Sequence, residues 1–265
     1  MFATVTHSIV VMALAAGCQQ PVNPSFAVSA GQARLALKQM ERNPRPQARP
    51  LVLLGGYQDP GLGTSALTGQ LRGVFQNPQI VTISYPLHGS FDSCRRHVIE
   101  ALEKRLPSND PGETVELDVV GVSMGGLVAR HCAIERPGEK RLKIRRLFTV
   151  SSPHRGAQGA ALPALTALHR DMREGSGFRG ALAAAENGNG AQAYEVVPYV
   201  RLGDAIVGAA NAAPEGMGVW WVSNPPLQSA HMGAALDARI MADIARRLRG
   251  EKPFTRGTPA ALPTR

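Results

Sequence analysis

Cysteine, aromatic residues and lysine are scarce in this 265-residue chain. Its three cysteines, Cys18, Cys94 and Cys132, show no CxxC or Cys/His spacing. A disulfide-stapled scaffold and a cysteine-based zinc centre are therefore excluded. Aromatic residues make up only 5% of the chain, and the basic residues form no run longer than pairs such as Arg246-Arg247. Single-stranded nucleic acid is held by aromatic platforms interleaved with basic side chains, so no nucleic-acid partner is expected. The net charge of +9 comes from 24 Arg and 5 Lys against 20 acidic residues and reads as a dispersed arginine bias. No apolar run is long enough to span a bilayer. The longest candidate, Ser8 to Gly17, has the length of an export-signal core.

With 44% hydrophobic residues, the chain can bury roughly 70 to 75% of its unfolded surface without metal or disulfide support. The N-terminal run ends Leu14-Ala15-Ala16-Gly17-Cys18, which resembles the lipobox of bacterial lipoproteins. That resemblance implies an export signal over residues 1–17, lipidation of Cys18 and a location in the cell envelope, held at a membrane surface by acyl chains. Residues 18–48 carry Pro21, Pro24, Pro44 and Pro46 around one short helical pattern and read as a tether. The proline-bearing stretch 251–265 reads as a flexible tail.

Between them, residues 49–250 alternate short apolar runs with helix-length patterns. The runs are Leu51 to Leu54, Ile80 to Ser84, Val115 to Gly121, Leu147 to Ser151, Tyr199 to Leu202 and Val219 to Val222. Helix patterns fall near Ser65 to Phe75, Cys94 to Leu106, Met124 to Ile134 and Gly233 to Leu248. Parallel neighbours need a crossover, so this alternation predicts an α/β domain with a mostly parallel sheet and helices on both faces. Residues 157–196 interrupt it with an Ala- and Gly-rich insert. Leu162, Leu165, Leu168 and Met172 lie there at near-helical spacing, as in a small cap or an ordinary edge helix.

The strongest chemical signal is Gly121-Val122-Ser123-Met124-Gly125-Gly126. It sits between a strand pattern and a helix pattern, the context a GxSxG nucleophile elbow requires. A serine hydroxyl is a weak nucleophile and needs a histidine base oriented by a carboxylate, in the chain order Ser, acid, His. Asp204, after the strand pattern Tyr199 to Leu202, is the best placed acid. Asp171 and Glu186 lie in the insert, and Asp237 and Asp243 in the last helix. His231, after the last strand and before the last helix, alone satisfies the order among seven histidines. His88 and His154 also follow strands; His154, with Leu162 and Leu165, is a candidate for the substrate pocket. An oxyanion needs two N–H donors, expected from Met124 and from Tyr57 in the loop after the first strand.

These blocks together resemble a bacterial lipase or esterase of the alpha/beta-hydrolase superfamily, over about residues 50 to 248. Pro50 to Tyr57 is similar to the family's oxyanion block, with Gly55 where a histidine is usual. Gly121 to Gly126 is similar to the elbow, Ser152-Pro153-His154-Arg155-Gly156 to the "PHxG" segment, and Gly203 to Val207 to the "DGxV" acid block. The resemblance implies an acyl-ester substrate and hydrolysis without a cofactor. Thioesterases and acyltransferases share the same triad, and a non-catalytic envelope lipoprotein using the fold as a binding scaffold is the alternative from another class. Family lipases sometimes carry structural calcium, but no ligand set stands out here.

Overall fold

The computed structural model describes residues 20–158, 166–188 and 194–264. Its centre is a six-stranded sheet built from β2 (Leu51–Leu54), β4 (Ile80–Ile83), β5 (Leu117–Val122), β6 (Ile144–Val150), β7 (Glu195–Arg201) and β8 (Trp220–Val222). The spatial order is β4-β2-β5-β6-β7-β8, and every neighbouring pair is parallel. Two residues each from β1 (Arg45–Pro46) and β3 (Phe75–Gln76) form a separate parallel ladder. The helices are α1 (Ala30–Arg42), α2 (Leu62–Arg72), α3 (Phe91–Glu103), α4 (Met124–Ala133), α5 (Ala167–Asp171), α6 (Gly177–Gly188), α7 (Ala230–Ala234) and α8 (Ala238–Leu248).

The central strands read as continuous apolar runs because both of their faces are covered. Along β2, Leu51 and Leu53 join one core with residues of α1, α2 and α8. Val52 and Leu54 join the other, with α3 and α4. After β2 the chain moves outward to β4 and then returns to place β5 on the other side of β2. The strand order therefore reverses between β2 and β5, and the loops leaving their C-terminal ends diverge around a crevice.

Three expectations are corrected. The tether expected over 18–48 contains, among its described residues from 20 on, a helix with one packed face. Ser29 and Gln32 form a reciprocal capping box that starts α1, and Ala33, Leu37 and Met40 bury one face where α1 meets α8. The prolines flank this helix and do not interrupt it, so its apolar stripe survives. The tail is also packed. The N–H groups of Phe254 and Thr255 donate to Asp243 at 2.5 and 2.9 Å, and Trp221 Nε1 donates to the carbonyl of Ala260 at 3.0 Å. Finally, the helix expected from Gly233 to Leu248 is two helices, because Asp237 caps a new start by accepting from the Arg239 N–H.

The described part of the insert is fixed to the domain. Leu168, Met172 and Leu182 are buried in the α3/α4 core, the Phe91 and Phe178 rings stack with centroids 3.9 Å apart, and Arg130 of α4 makes a two-armed ion pair with Glu186 of α6. Leu162 and Leu165 lie outside the described residues, as do Cys18 and the export segment. No helix among the described residues is long and apolar enough to cross a membrane.

Candidate active site

Strand β5 delivers Ser123 onto a tight turn before α4, with φ 52° and ψ −122°. A non-glycine residue rarely adopts a positive φ, and this strain persists only where the surroundings enforce it. Close packing supplies that enforcement. A Cβ on Gly121 would lie 2.5 Å from the Gly126 nitrogen, and one on Gly125 would overlap the Leu54 carbonyl oxygen and sit 2.8 Å from that of Gly55. The elbow is thus pressed into the loop that follows β2.

The expected acid and base arrive from loops after β7 and β8. His231 Nε2 is 3.1 Å from Ser123 Oγ, and Nδ1 is 2.9 and 3.1 Å from the two carboxylate oxygens of Asp204. An ionised carboxylate only accepts, so Nδ1 carries the proton and Nε2 is left to accept from the serine. Asp204 is buried and also accepts from the N–H groups of Ile206 and Val207, each at 3.0 Å. Burial alone would raise its pKa. The hydrogen bond and charge of His231, with the Val207 N–H, outweigh burial and hold the carboxyl below its ordinary value.

Met124 is the first residue of α4, so its N–H has no partner within the helix and lies beside the serine. On the opposite wall, a Cβ on Gly56 would lie 3.3 Å from Ser123 Cβ and 3.9 Å from Oγ. The Gly56–Tyr57 backbone therefore runs close over the nucleophile. The Tyr57 side chain turns toward the insert, its hydroxyl 3.0 Å from Thr166 Oγ1.

At Gly55 the loop after β2 is held by groups from neighbouring elements. The Tyr85 hydroxyl donates to the Gly55 carbonyl at 2.5 Å, and the Gly55 N–H donates to Ile83 at 3.1 Å. A Cβ at Gly55 would stand 3.2 Å from Asp59 Oδ2 and 3.3 Å from Ser84 Oγ, so those side chains fill the space. Burial raises the Tyr85 pKa well above its ordinary value, which keeps the hydroxyl a donor. Tyr85 carries no local sequence signal, because its role comes from a loop thirty residues away.

His154 is not a pocket residue. Its Nδ1 is 3.0 Å from Arg130 Nη1 and its Nε2 3.0 Å from Thr149 Oγ1, which engages both ring nitrogens in the interior. Burial, then the charges of Arg130, Arg155 and Arg179, push its pKa well below the ordinary value. Three of the competing acids are engaged elsewhere: Glu186 with Arg130, Asp237 with Arg201 and Arg239, and Asp243 with Arg247 and the Tyr199 hydroxyl. Among the described residues no group of three or more His, Cys, Asp or Glu is arranged to hold a metal.

Comparison with known proteins places this geometry in a fold. The chain is similar to the phospholipase PlaB from Legionella pneumophila, at 12% identity and a TM-score of 0.53, over 76% of this chain and 60% of that one. It is also similar to the Bacillus licheniformis lipase BlEst2. The mature form aligns at 15% identity and a TM-score of 0.53, over 78% of this chain and 94% of that one. The chain has the alpha/beta-hydrolase fold. The propeptide form of BlEst2 gives a TM-score of 0.54 at 14% identity, over 84% of this chain and 53% of that one. The chain thus spans less than two thirds of the phospholipase and of the propeptide-form lipase. No family model and no curated protein matches the sequence.

Proposed function

We propose that the protein is a serine hydrolase that cleaves carboxylic esters of acyl chains through an acyl-enzyme. The observation that carries this reading is the 3.1 Å approach of His231 Nε2 to Ser123 Oγ on a strained elbow, with Nδ1 held by Asp204. Ser123 Oγ attacks the ester carbonyl carbon as His231 Nε2 takes its proton. The Tyr57 and Met124 N–H groups stabilise the oxyanion. Collapse of the tetrahedral intermediate expels the alcohol, which receives that proton from His231. Water then attacks the acyl-serine by the same route and releases the acid.

An acyl-chain substrate is supported by the loops around the nucleophile. Those spanning 84–90, 203–213 and 223–236 contain no Lys, Arg or Glu, and their one acid is the buried Asp204. Leu87, Ile206, Leu227, Met232 and Leu236 are exposed there, on the sheet edge that carries Ser123.

The test is turnover of p-nitrophenyl esters of increasing acyl length by the protein and its Ser123→Ala variant. Serine-dependent turnover that rises with chain length is expected, with kcat in the variant lower by about 10⁴-fold or more. Equal rates in both proteins would remove the assignment, and an optimum at acetate would remove the acyl-chain preference. The envelope location inferred from the Cys18 segment is tested separately. Cys18→Ser is expected to shift the protein from the membrane fraction to the soluble one, and an unchanged distribution would count against lipidation.

A further inference from the structure

Strand β7 ends at Arg201, and three residues later the chain reaches Asp204. Arg201 is buried at 5% exposure, and its guanidinium points at the segment that carries His231. Nε donates to Asp237 Oδ2 at 2.7 Å, and Nη1 donates to Gln228 Oε1 at 3.0 Å and Asn224 Oδ1 at 3.4 Å. Gly233, two residues past the histidine, rests directly on the same Nη1, where a Cβ would overlap it. One planar group therefore touches the segment before, after and at the end of the turn that presents His231.

Beneath the segment the small side chains of Ala230, Ala234 and Ala235 are buried, and its directional contacts come from polar groups. Asn224 Nδ2 donates to the Gln228 carbonyl at 2.8 Å, a bond internal to the loop. Among the described residues, the side-chain bonds of Asn224 and Gln228 that leave the loop end on Arg201. The ends of the segment are closed by Arg239, which donates to the Ser223 carbonyl at 2.7 Å and to Asp237 Oδ2 at 2.7 Å. Arg239 ties the base of the loop to itself, whereas Arg201 ties it to the sheet.

We infer that Arg201 is a positioning residue that holds the base-bearing segment in register with the acid-bearing strand, so that Asp204, His231 and Ser123 share one frame. This inference rests on reading those three residues as the triad. The physical reason is geometric. Asp204 is three residues from Arg201 on a continuous backbone, while His231 lies 27 residues beyond Asp204 on the one-turn helix α7, which is reached through an irregular loop. A displacement near 1 Å at such a base costs on the order of a hundredfold in rate. An arginine suits the task because its fork donates in several fixed directions at once, which a lysine ammonium on a flexible stem does not.

The test removes the loop-side acceptors and leaves the buried Arg201–Asp237 ion pair intact. Asn224→Ala/Gln228→Ala is expected to lower kcat about 10- to 100-fold with KM within about twofold, and to keep Tm within about 4 °C of the parent. Arg201→Lys keeps the charge opposite Asp237 and is expected to fall between the two. A second readout does not depend on turnover: the downfield proton resonance of the His231 Nδ1–H bonded to Asp204, assigned by its loss in His231→Gln. It should be sharp in the parent and broadened or lost in the double variant. An unchanged kcat in the double variant, or a sharp unshifted resonance, overturns the positioning role. So does a kcat loss that only tracks a smaller folded fraction. If the parent and Ser123→Ala are equally inert, the ester-hydrolase reading fails, and the resonance alone still decides whether Arg201 positions His231.

Discussion

The two sides of the nucleophile are held in place by different means. On the elbow side, Ser123 is immobilised by backbone pressed on backbone: Gly121 against Gly126, and Gly125 against the carbonyls of Leu54 and Gly55. On the histidine side, His231 sits on the one-turn helix α7, which packs through small alanines and is tied in place by side chains, chiefly Arg201, Asp237 and Arg239. Backbone contact leaves almost no freedom and tolerates no added atom. A side-chain clamp can be loosened by degrees, because each hydrogen bond contributes separately, about 1 kcal/mol net for a neutral pair.

The largest effect is expected at the elbow. Gly125→Ala adds one methyl where two carbonyl oxygens already stand, so either the elbow or the Gly55–Tyr57 loop must move. A loss of about 4 kcal/mol or more is expected, read as a Tm lower by about 10 °C, together with lost ester turnover. A near-parental Tm with full activity would break the contrast between the two sides.

A smaller effect is expected at the Gly55 carbonyl. Tyr85→Phe leaves the Gly55 carbonyl without the hydroxyl that binds it, at a cost of about 1 to 3 kcal/mol. The change is expected to lower kcat about tenfold with KM nearly unchanged. An increase in KM alone would mean that Tyr85 serves binding and not the proposed oxyanion donor of the Gly55–Tyr57 loop.

The smallest effect is one of pH, and it separates the two sides by titration. His154, beneath α4 on the elbow side, has its folded pKa depressed by burial and three arginines. Its contribution to stability is therefore complete above the unfolded value near 6.5 and is lost as pH falls toward the folded one, at no more than about 1.4 kcal/mol per pH unit. Asp237, on the histidine side, resists the raising effect of its own burial through Arg239 and Arg201 and is also depressed. Its contribution persists down to about pH 3.9 and is lost only below that. Amide protection factors, in which the intrinsic slowing of exchange at lower pH is divided out, are expected to fall in α4 between pH 7 and 5 and to stay unchanged in α7 and the start of α8, and His154→Gln should flatten the slope. A parallel fall in both regions would show that the histidine side shares the same titration.

Legibility in the sequence divides along similar lines. The six strands, the elbow and the order Ser123, Asp204, His231 all follow from short-range signals: apolar runs ended by glycine, a glycine pair around a serine, a polar residue after a strand. The packed lead-in and tail were not readable, because proline content marks a chain's local stiffness and not whether a distant surface covers it. Asn23 Nδ2 donates to the Trp221 carbonyl across 198 residues at 2.7 Å, and no local pattern announces that bond. His154 looked like a pocket residue because it follows a strand. Strand position says which edge of the sheet a residue lies near, whereas the partners Arg130 and Thr149 turned its ring inward.

The sequence by itself therefore determined the parallel α/β architecture and the identity of the three residues that meet at the site. Hydrophobic periodicity and the steric demands of a tight turn act over a few residues. The tertiary structure alone decided how those residues are held: Tyr85 on the Gly55 carbonyl, Arg201 beneath the histidine segment, and Glu186 pinning the insert to α4 through Arg130. Each of those is a directional contact between groups 27 to 56 residues apart, and its geometry exists only once the sheet has brought the loops together.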